Sequence, residues 1–282
     1  MKRIFSILSH LPWGVMYGIS NVLYVLVYYL VGYRRGVVRA NLEKSFPEKE
    51  DSERRGIEKA FYRHFCDMLV ETVKLFSMPE DEIRRRMEFP PCPEVERWYA
   101  EGRSVLGLMG HMGNWEYIPS YTLHVPRHVH VIQLYKQLYN PGFDRLMHDL
   151  RERFGSESVE ARKGYHTIAG YIGAGQQVAV GFLADQAVDR AKFSLDFMHR
   201  TAPVYEGAER IGRHFHCAIL YFDIEKTSRG HYRVHTIPLT ADASAEEEHT
   251  LTTRYIRLLE ASIRRQPELY LWSHRRWKYA QS

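Results

Sequence analysis

The sequence predicts an α/β fold, with a mixed, largely parallel β-sheet covered by helices and a membrane-anchoring helix at the N-terminal end. Three observations lead to this prediction. Short apolar runs alternate along the chain with longer stretches of helical periodicity, the pattern of strands joined by helical crossovers. Polar residues follow the carboxyl ends of two apolar runs, and residues 11–33 carry no charge. We therefore expect an anchor at residues 1–35 and one large domain at residues 36–282.

The composition is that of a folded protein with a modest preference for anionic partners. Hydrophobic residues make up 45% and charged residues 26% of the 282 positions, enough for a packed core. The formal charge of +5 favours phospholipid headgroups, phosphorylated glycolipids, acidic carrier proteins or nucleic acid, without choosing among them. Cys66, Cys92 and Cys217 are far apart and odd in number, so we expect neither a disulfide framework nor a metal site, and a reducing compartment.

The uncharged segment, residues 11–33, is as long as the roughly 20 residues that a helix needs to cross a bilayer. Trp13 and Tyr33 place aromatic rings near its two ends. More positive charge follows the segment than precedes it, so the bulk of the protein should be cytoplasmic. We predict a helix that spans the bilayer or inserts deeply. A helix that lies in the interface, or packs on the domain, is the alternative.

Periodicity predicts the remaining elements in order. A stripe containing Ile57, Phe61 and Phe65 indicates an amphipathic, core-facing helix at residues 53–76. Asn140 followed by Pro141 is a helix cap with proline at the first helical position. Apolar or alternating runs predict strands at residues 105–109, 128–134, 178–183, 217–222 and 232–237. Helical patterns predict helices from about residue 114 and at residues 140–155, 164–175, 204–212 and 246–265.

One histidine follows directly after the first predicted strand. Gly110 and Gly113 flank His111 and interrupt the regular secondary structure there. Asn114 should cap the helix whose first turn contains Glu116. The intervening turn lets the carboxylate of Glu116 reach the imidazole. A carboxylate on one ring nitrogen fixes the tautomer and raises the basicity of the other, which makes a general base for a hydroxyl. The alternative is an ordinary loop histidine, one of fifteen in the chain.

Asp185 follows the strand predicted at residues 178–183 as His111 follows the strand at residues 105–109. In parallel sheets, ligands bind beyond the carboxyl ends of the strands. If the two strands are parallel, Asp185 and His111 open onto the same edge of the sheet. The alternative for Asp185 is a simple loop cap.

The residues that surround His111 resemble a known family. Gly-His-Met-Gly-Asn-Trp-Glu, at residues 110–116, resembles the active-site motif of the lipid A late acyltransferases, within the lysophospholipid and glycerolipid acyltransferase superfamily. Three similar blocks follow in the family's order, at residues 135–141, at Asp185-Gln186 and at residues 267–278. Lys136 stands where members usually carry arginine, and a lysine keeps the charge but lacks the bidentate fork.

The resemblance implies transfer of a fatty acyl chain from a thioester to a hydroxyl of a lipid A precursor. It implies acyl carrier protein as the usual donor, with acyl-CoA possible, at the cytoplasmic face of a bacterial inner membrane. His111 would deprotonate the acceptor hydroxyl and Glu116 would orient it. Backbone N–H groups at Gly113 and Asn114 would stabilise the oxyanion, with Lys136 as a second donor.

The later blocks add residues that bind substrate. Asp185 and Gln186 would belong to the site, and Arg275 and Arg276 would grip lipid phosphates at the membrane surface. The alternative for the basic residues is solvated charge beside packed tryptophans. No cofactor, metal or nucleic-acid partner is implied. Other functions left open are the same chemistry on another glycolipid or aminolipid, a thioesterase, and a non-catalytic membrane-bound basic module.

Overall fold

The computed structural model describes residues 2–187 and 193–279, and a seven-stranded β-sheet lies at the centre of them. The strands are β1 (Met87–Glu88), β2 (Val105–Met109), β3 (His130–Tyr135), β4 (Glu157–Glu160), β5 (Val178–Leu183), β6 (Ser194–Phe197), β7 (Arg200–Pro203), β8 (Ala218–Ser228) and β9 (His231–Thr240). The sheet order is β1-β9-β8-β2-β5-β3-β4, and only β8 and β9 pair antiparallel within it. Strands β6 and β7 form a separate hairpin.

Helices cover the sheet. They are α1 (Lys2–Ser9), α2 (Trp13–Tyr24), α3 (Arg35–Ser45), α4 (Asp51–Lys74), α5 (Glu80–Arg86), α6 (Pro93–Ala100), α7 (Pro141–Arg151), α8 (Gly164–Gly173), α9 (Gly207–His214) and α10 (Thr250–Arg265). Helix α2 continues as a π-helical segment, Val25–Val31, and a 3₁₀ helix covers Trp115–His124. The predicted α/β class, with a mixed and mostly parallel sheet, is confirmed.

Strand β2 is the centre of the sheet, and all five of its residues are buried. Leu106 and Leu108 pack into one hydrophobic cluster, while Val105 and Met109 pack into the other, so both faces of the strand are covered. This explains its continuous apolar sequence, which is typical of parallel strands. Gly107 lets the Phe222 ring approach, since a Cβ built there would lie 2.7 Å from that ring.

The register brings the carboxyl ends of β2 and β5 together. The two strands are parallel, and Met109 pairs with Leu183. His111 and Asp185 each come two residues after those positions. The expectation that both residues open onto one edge of the sheet is confirmed.

The sequence predicted some element boundaries better than others. The predicted bounds of β2 and β5 match the structure, and Asn140 caps α7 by accepting the N–H groups of Gly142 and Phe143. The cap predicted at Asn114 is wrong, because its side chain makes no capping hydrogen bond. The chain then winds as a 3₁₀ helix that contains Pro119, which has no N–H to donate. Strands β1, β4, β6 and β7 were not predicted.

Helix α2 packs along α4. Its residues Met16, Ser20 and Tyr24 are buried, and Tyr28 of the π-helical segment continues the same row. Trp13–Val31 is long and apolar enough to cross a membrane. The predicted boundary between residues 35 and 36 stays a prediction.

Gly107→Ala should destabilise the fold by about 1–3 kcal/mol, because the new methyl group overpacks the buried face of β2 against Phe222. Denaturant unfolding in detergent measures the change. The matched control is Gly170→Ala in α8, where a Cβ meets nothing within 4 Å, and no loss is expected there. Equal effects of the two substitutions would contradict the close approach at β2.

Candidate active site

His111 and Asp185 form a buried pair across the carboxyl ends of β2 and β5. The His111 Nδ1 atom lies 2.6 Å from Asp185 Oδ1, and the His111 backbone N–H donates to Asp185 Oδ2 at 3.0 Å. The His111 residue is 8% exposed and Asp185 is 2% exposed. One carboxylate therefore fixes both the imidazole ring and the backbone that carries it.

The surroundings keep Asp185 ionised. Burial alone would raise the pKa of its carboxyl, but the His111 ring, the two hydrogen bonds and the charge of Arg276 lower that pKa below its usual value. An ionised carboxylate accepts a hydrogen bond from the protonated His111 Nδ1, so Nε2 is the unprotonated nitrogen and carries the basic lone pair. The side-chain amide of Gln186 lies 3.1 Å from this Nε2 and donates to it. The ring thus has the tautomer of a general base.

Glu116 is paired with Arg151 instead of His111. The Arg151 Nη2 and Nε atoms donate to the two carboxylate oxygens of Glu116 at 2.7 and 2.8 Å. Arg151 comes from α7, and both side chains are largely buried. Among the residues that the structure describes, Asp185 holds the position that we expected of Glu116. The expected pairing of Glu116 with His111 is corrected accordingly.

Gly113 has a conformation and surroundings that exclude a side chain. Its φ is +58°, and a Cβ built there would lie 2.7 Å from the Ile224 side chain. Its N–H donates to the Leu269 carbonyl at 3.1 Å, and its carbonyl accepts from His64 Nε2 at 3.2 Å. The Gly113 N–H is therefore occupied, which corrects the expectation that it stabilises an oxyanion in this arrangement.

Asn114 fixes the same loop through its side chain, which contacts α4. Its side chain is fully buried and donates through Nδ2 to Glu71 Oε2 at 2.9 Å. Glu71 also accepts from the hydroxyls of Tyr232 at 2.9 Å and of Tyr17 at 3.3 Å. Burial, and to a smaller extent Asp67, raise the pKa of Glu71, while the hydrogen bonds from Asn114 and Tyr232 and the charge of Lys226 lower it, and the net result is a raised pKa. The Asn114 side chain is thus used to position the loop.

Sequence reasoning missed His64 and Glu71, which it placed in a core-facing helix without a role. A signal was present. Polar residues recur in α4 at spacings of three and four, at His64, Asp67, Glu71 and Lys74. All four are buried. A polar row of helical period on an otherwise core-facing helix indicates internal hydrogen bonding, and two of its members hold the loop after β2.

The basic candidates differ in their surroundings. Lys136 follows β3 at the same sheet edge and is exposed, as is Arg275. Arg276 is only 1% exposed, and its three guanidinium nitrogens have no hydrogen-bond partner in the described part of the chain. Arg276 therefore does not reach lipid phosphates at a membrane surface, which corrects that expectation. Its charge acts on Asp185.

The described residues contain no group of three or more His, Cys, Asp or Glu side chains that could hold a metal ion. Cys66, Cys92 and Cys217 are free.

The sequence model of a protein family, the bacterial lipid A biosynthesis acyltransferases, matches residues 3–279 of this chain. The chain belongs to this family. It is 24% identical over 272 residues to a lipid A biosynthesis palmitoleoyltransferase of Escherichia coli K12. The aligned region covers 95% of this chain and 86% of that protein. It is 23% identical over 277 residues to a lipid A biosynthesis lauroyltransferase of the same organism, with 98% and 89% covered.

Membership of the lipid A biosynthesis acyltransferase family makes the chain an acyltransferase, as the motif around His111 had indicated. A similar protein of Shigella flexneri carries the name lipid A biosynthesis acyltransferase, at 24% identity over 272 residues.

His64→Gln should weaken the acid sensitivity of the fold. The pKa of His64 falls from its ordinary value of 6.5 to about 3, mainly because the ring is buried and secondly because Lys226 is close. The hydrogen bond to the Gly113 carbonyl raises this pKa, but by less. Below pH 6.5 the unfolded chain binds a proton here that the folded chain does not. His64 therefore costs about 1.4 kcal/mol of unfolding free energy per pH unit as the pH falls from 6 to 4.

Denaturant unfolding between pH 4 and 8 measures this contribution as the difference in slope between wild type and His64→Gln. The exposed His128 supplies the control variant His128→Gln, whose slope should match wild type. Equal slopes in all three proteins would contradict a neutral, buried His64.

Proposed function

We propose that this protein moves a fatty acyl chain from a thioester to a hydroxyl of a lipid A precursor, with His111 as the general base. The observation that carries the proposal is the buried His111–Asp185 pair, which leaves Nε2 as the basic nitrogen at the edge of the sheet. The names of the two Escherichia coli relatives support the acyl chain and the lipid A acceptor. A related glycolipid or aminolipid acceptor is the nearest alternative.

The proposed reaction is a direct transfer. His111 Nε2 takes the proton of the acceptor hydroxyl, and that oxygen attacks the thioester carbonyl carbon. A C–O bond forms, the C–S bond breaks, and the leaving thiolate takes the proton back from Nε2. The Asp185 carboxylate stabilises the imidazolium that exists between these two proton transfers, since it lies 2.6 Å from Nδ1.

Gln186 and Glu116 have different proposed roles. The amide of Gln186 lies within hydrogen-bond distance of the base nitrogen, so it can donate to the oxyanion or to the acceptor oxygen once substrate enters. Backbone N–H donors near Asn114, and Lys136, remain further candidates. Glu116 acts as a positioning residue, because its ion pair with Arg151 ties the 3₁₀ helix after His111 to α7.

The donor and the membrane are proposed from charge and hydropathy. Exposed Lys136 and Arg275 suit an acidic acyl carrier protein or the phosphates of an anionic lipid, and acyl-CoA is the alternative donor. The apolar segment Trp13–Val31 supports attachment to a membrane, and we propose the cytoplasmic face of the bacterial inner membrane as its location. No nucleic acid or cofactor takes part in the proposed reaction.

His111→Ala and Asp185→Asn should each lower acyl transfer by about 10²–10⁴-fold, because one removes the base and the other its charged hydrogen-bond partner. The assay follows labelled acyl chain from acyl carrier protein in detergent, with a lipid A precursor present or absent. The control is His128→Ala, which changes an exposed histidine and should transfer like wild type.

Acceptor-dependent product that is lost in His111→Ala supports the transferase and its base. Free fatty acid formed without acceptor would support the thioesterase instead. Undiminished turnover by folded His111→Ala would overturn the role of the histidine, and a protein without activity on any acyl donor would favour the basic binding module.

Glu116→Gln and Arg151→Gln should each lower transfer about 10–100-fold, and the double variant should lose no more than either one. The reason is that both substitutions break one ion pair, and a displacement of about 1 Å at a reacting group can cost 100-fold. A double-mutant cycle on kcat measures the coupling. Additive losses, with the larger one at Glu116, would instead indicate that Glu116 acts directly on His111.

A further inference from the structure

The apolar N-terminal helix contacts charged side chains of the domain from its first turn. The Trp13 indole N–H donates to Glu82, and the Arg86 guanidinium carbon lies 3.5 Å from the centroid of the Trp13 ring. Just before this helix, the Lys74 ammonium donates to the carbonyls of Ser9 and Leu11 at 2.7 and 2.9 Å. These contacts hold the beginning of the segment against the ends of α4 and α5.

The middle of the helix is held in the same way. The Ser20 hydroxyl donates to Asp67 Oδ1 at 2.6 Å, and the Tyr17 hydroxyl donates to Glu71 Oε1 at 3.3 Å. Arg229 donates to Asn21 Oδ1 at 2.9 Å and pairs with Asp67 at 2.6 Å. The carboxylates of Asp67 and Glu71 and the guanidinium of Arg229 therefore lie beside residues 17–21, within the first half of the apolar segment.

The far end is tied to the domain near the active site. The Arg35 guanidinium carbon lies 4.6 Å from the Tyr28 ring centroid, and Arg35 Nη1 donates to the Tyr28 carbonyl. Gly32 and Arg34 both have positive φ, which turns the chain sharply. Arg34 then donates to the Ser273 carbonyl at 3.1 Å, in the same tail segment as Arg276.

The opposite face of the helix is apolar and uncovered. Val22 is 60% exposed and Leu30 is 73% exposed. The exposed apolar residues of this face are Val15, Ile19, Val22, Val25, Leu26, Leu30 and Val31, and Ile4 and Ile7 of α1 are exposed as well. Exposed Arg3 precedes this helix in the chain and exposed Arg34 follows it, and both suit anionic headgroups.

A spanning orientation conflicts with these contacts. The 19 residues of Trp13–Val31 cover roughly 28 Å, so they cross the hydrocarbon core only if the helix stands nearly along the bilayer normal. Glu82 beside Trp13, and the paired Asp67 and Arg229 beside Ser20 and Asn21, would then lie at two depths along the bilayer normal, where charges in hydrocarbon are energetically unfavourable. A helix in the plane of the interface places its apolar face in the lipid and all the charged contacts on the water side.

We propose that residues 13–31 lie in the plane of the membrane interface as a fixed part of the acyltransferase domain, with one leaflet as the partner of their exposed face. This inference rests on the membrane attachment in the proposed function and specifies its geometry. Residues before the helix then lie on the same side of the membrane as the domain. A spanning helix would place them on the opposite side.

Single cysteines test the sidedness. Arg3→Cys and His10→Cys, both at exposed positions before the helix, are made in a Cys92→Ser background, since Cys66 and Cys217 are buried. Arg162→Cys, on a 90% exposed side chain, reports the side of the domain. A membrane-impermeant maleimide is applied to intact spheroplasts and to inverted vesicles, and thermal unfolding confirms that each variant folds.

The expected result is labelling of all three cysteines in inverted vesicles and of none in spheroplasts. Labelling of Arg3→Cys or His10→Cys in spheroplasts, with Arg162→Cys protected, would overturn the in-plane helix and establish a span. The two positions are independent, so a folding defect in one variant leaves the other informative.

Depth measurements test the orientation directly. Fluorescent labels on Val15→Cys, Val22→Cys and Leu30→Cys should be quenched to equal extents by a lipid brominated at one acyl depth. Quenching that places Val22→Cys near the bilayer centre and the others near opposite surfaces would overturn the proposal.

A chain that does not sediment with membranes would overturn both the in-plane helix and the membrane part of the proposed function. Transfer to a detergent-dispersed lipid A precursor would still test the chemistry separately.

Discussion

The hydrogen-bonded contact between His111 and Asp185 is the constraint on which the site depends. It joins the ends of two neighbouring parallel strands, and it fixes the tautomer of the ring and the backbone of the loop with one carboxylate. An ionised group this deeply buried requires compensation. The imidazole, the backbone N–H and the charge of Arg276 provide it, which gives a role to a buried guanidinium that has no hydrogen-bond partner among the described residues.

The loop after β2 is built from both sides to keep this geometry. On one side, Asp185 accepts the hydrogen bond from the His111 backbone N–H. On the other side, His64 Nε2 donates to the Gly113 carbonyl, and Glu71 accepts from the Asn114 side chain. Gly113 has a positive φ and no room for a Cβ. Since rigid support places a base more reproducibly than a mobile loop can, the polar row of α4 belongs to the architecture of the site.

The sequence predicted the α/β class and the bounds of β2 and β5, because apolar runs are local patterns. It also predicted the shared edge of His111 and Asp185, because strands joined by helical crossovers are expected to run parallel. It did not predict which carboxylate contacts His111. Glu116 is near in sequence, but Arg151 binds it, and Asp185 is 74 positions away along the chain. Such choices depend on register and on competing long-range partners, as does the burial of Arg276, which no local pattern indicates.

The hydrogen bond from Tyr17 to Glu71 gives the N-terminal segment a part in the interior. Glu71 accepts hydrogen bonds from Tyr17, Tyr232 and Asn114, so the apolar helix and the loop after β2 share one buried carboxyl group. A shortened protein that begins near residue 36 would lose one of these donors and would uncover Asp67 and Glu71 to water. Truncation to gain solubility would thus change the preparation whose catalysis is being measured, as well as its attachment to lipid.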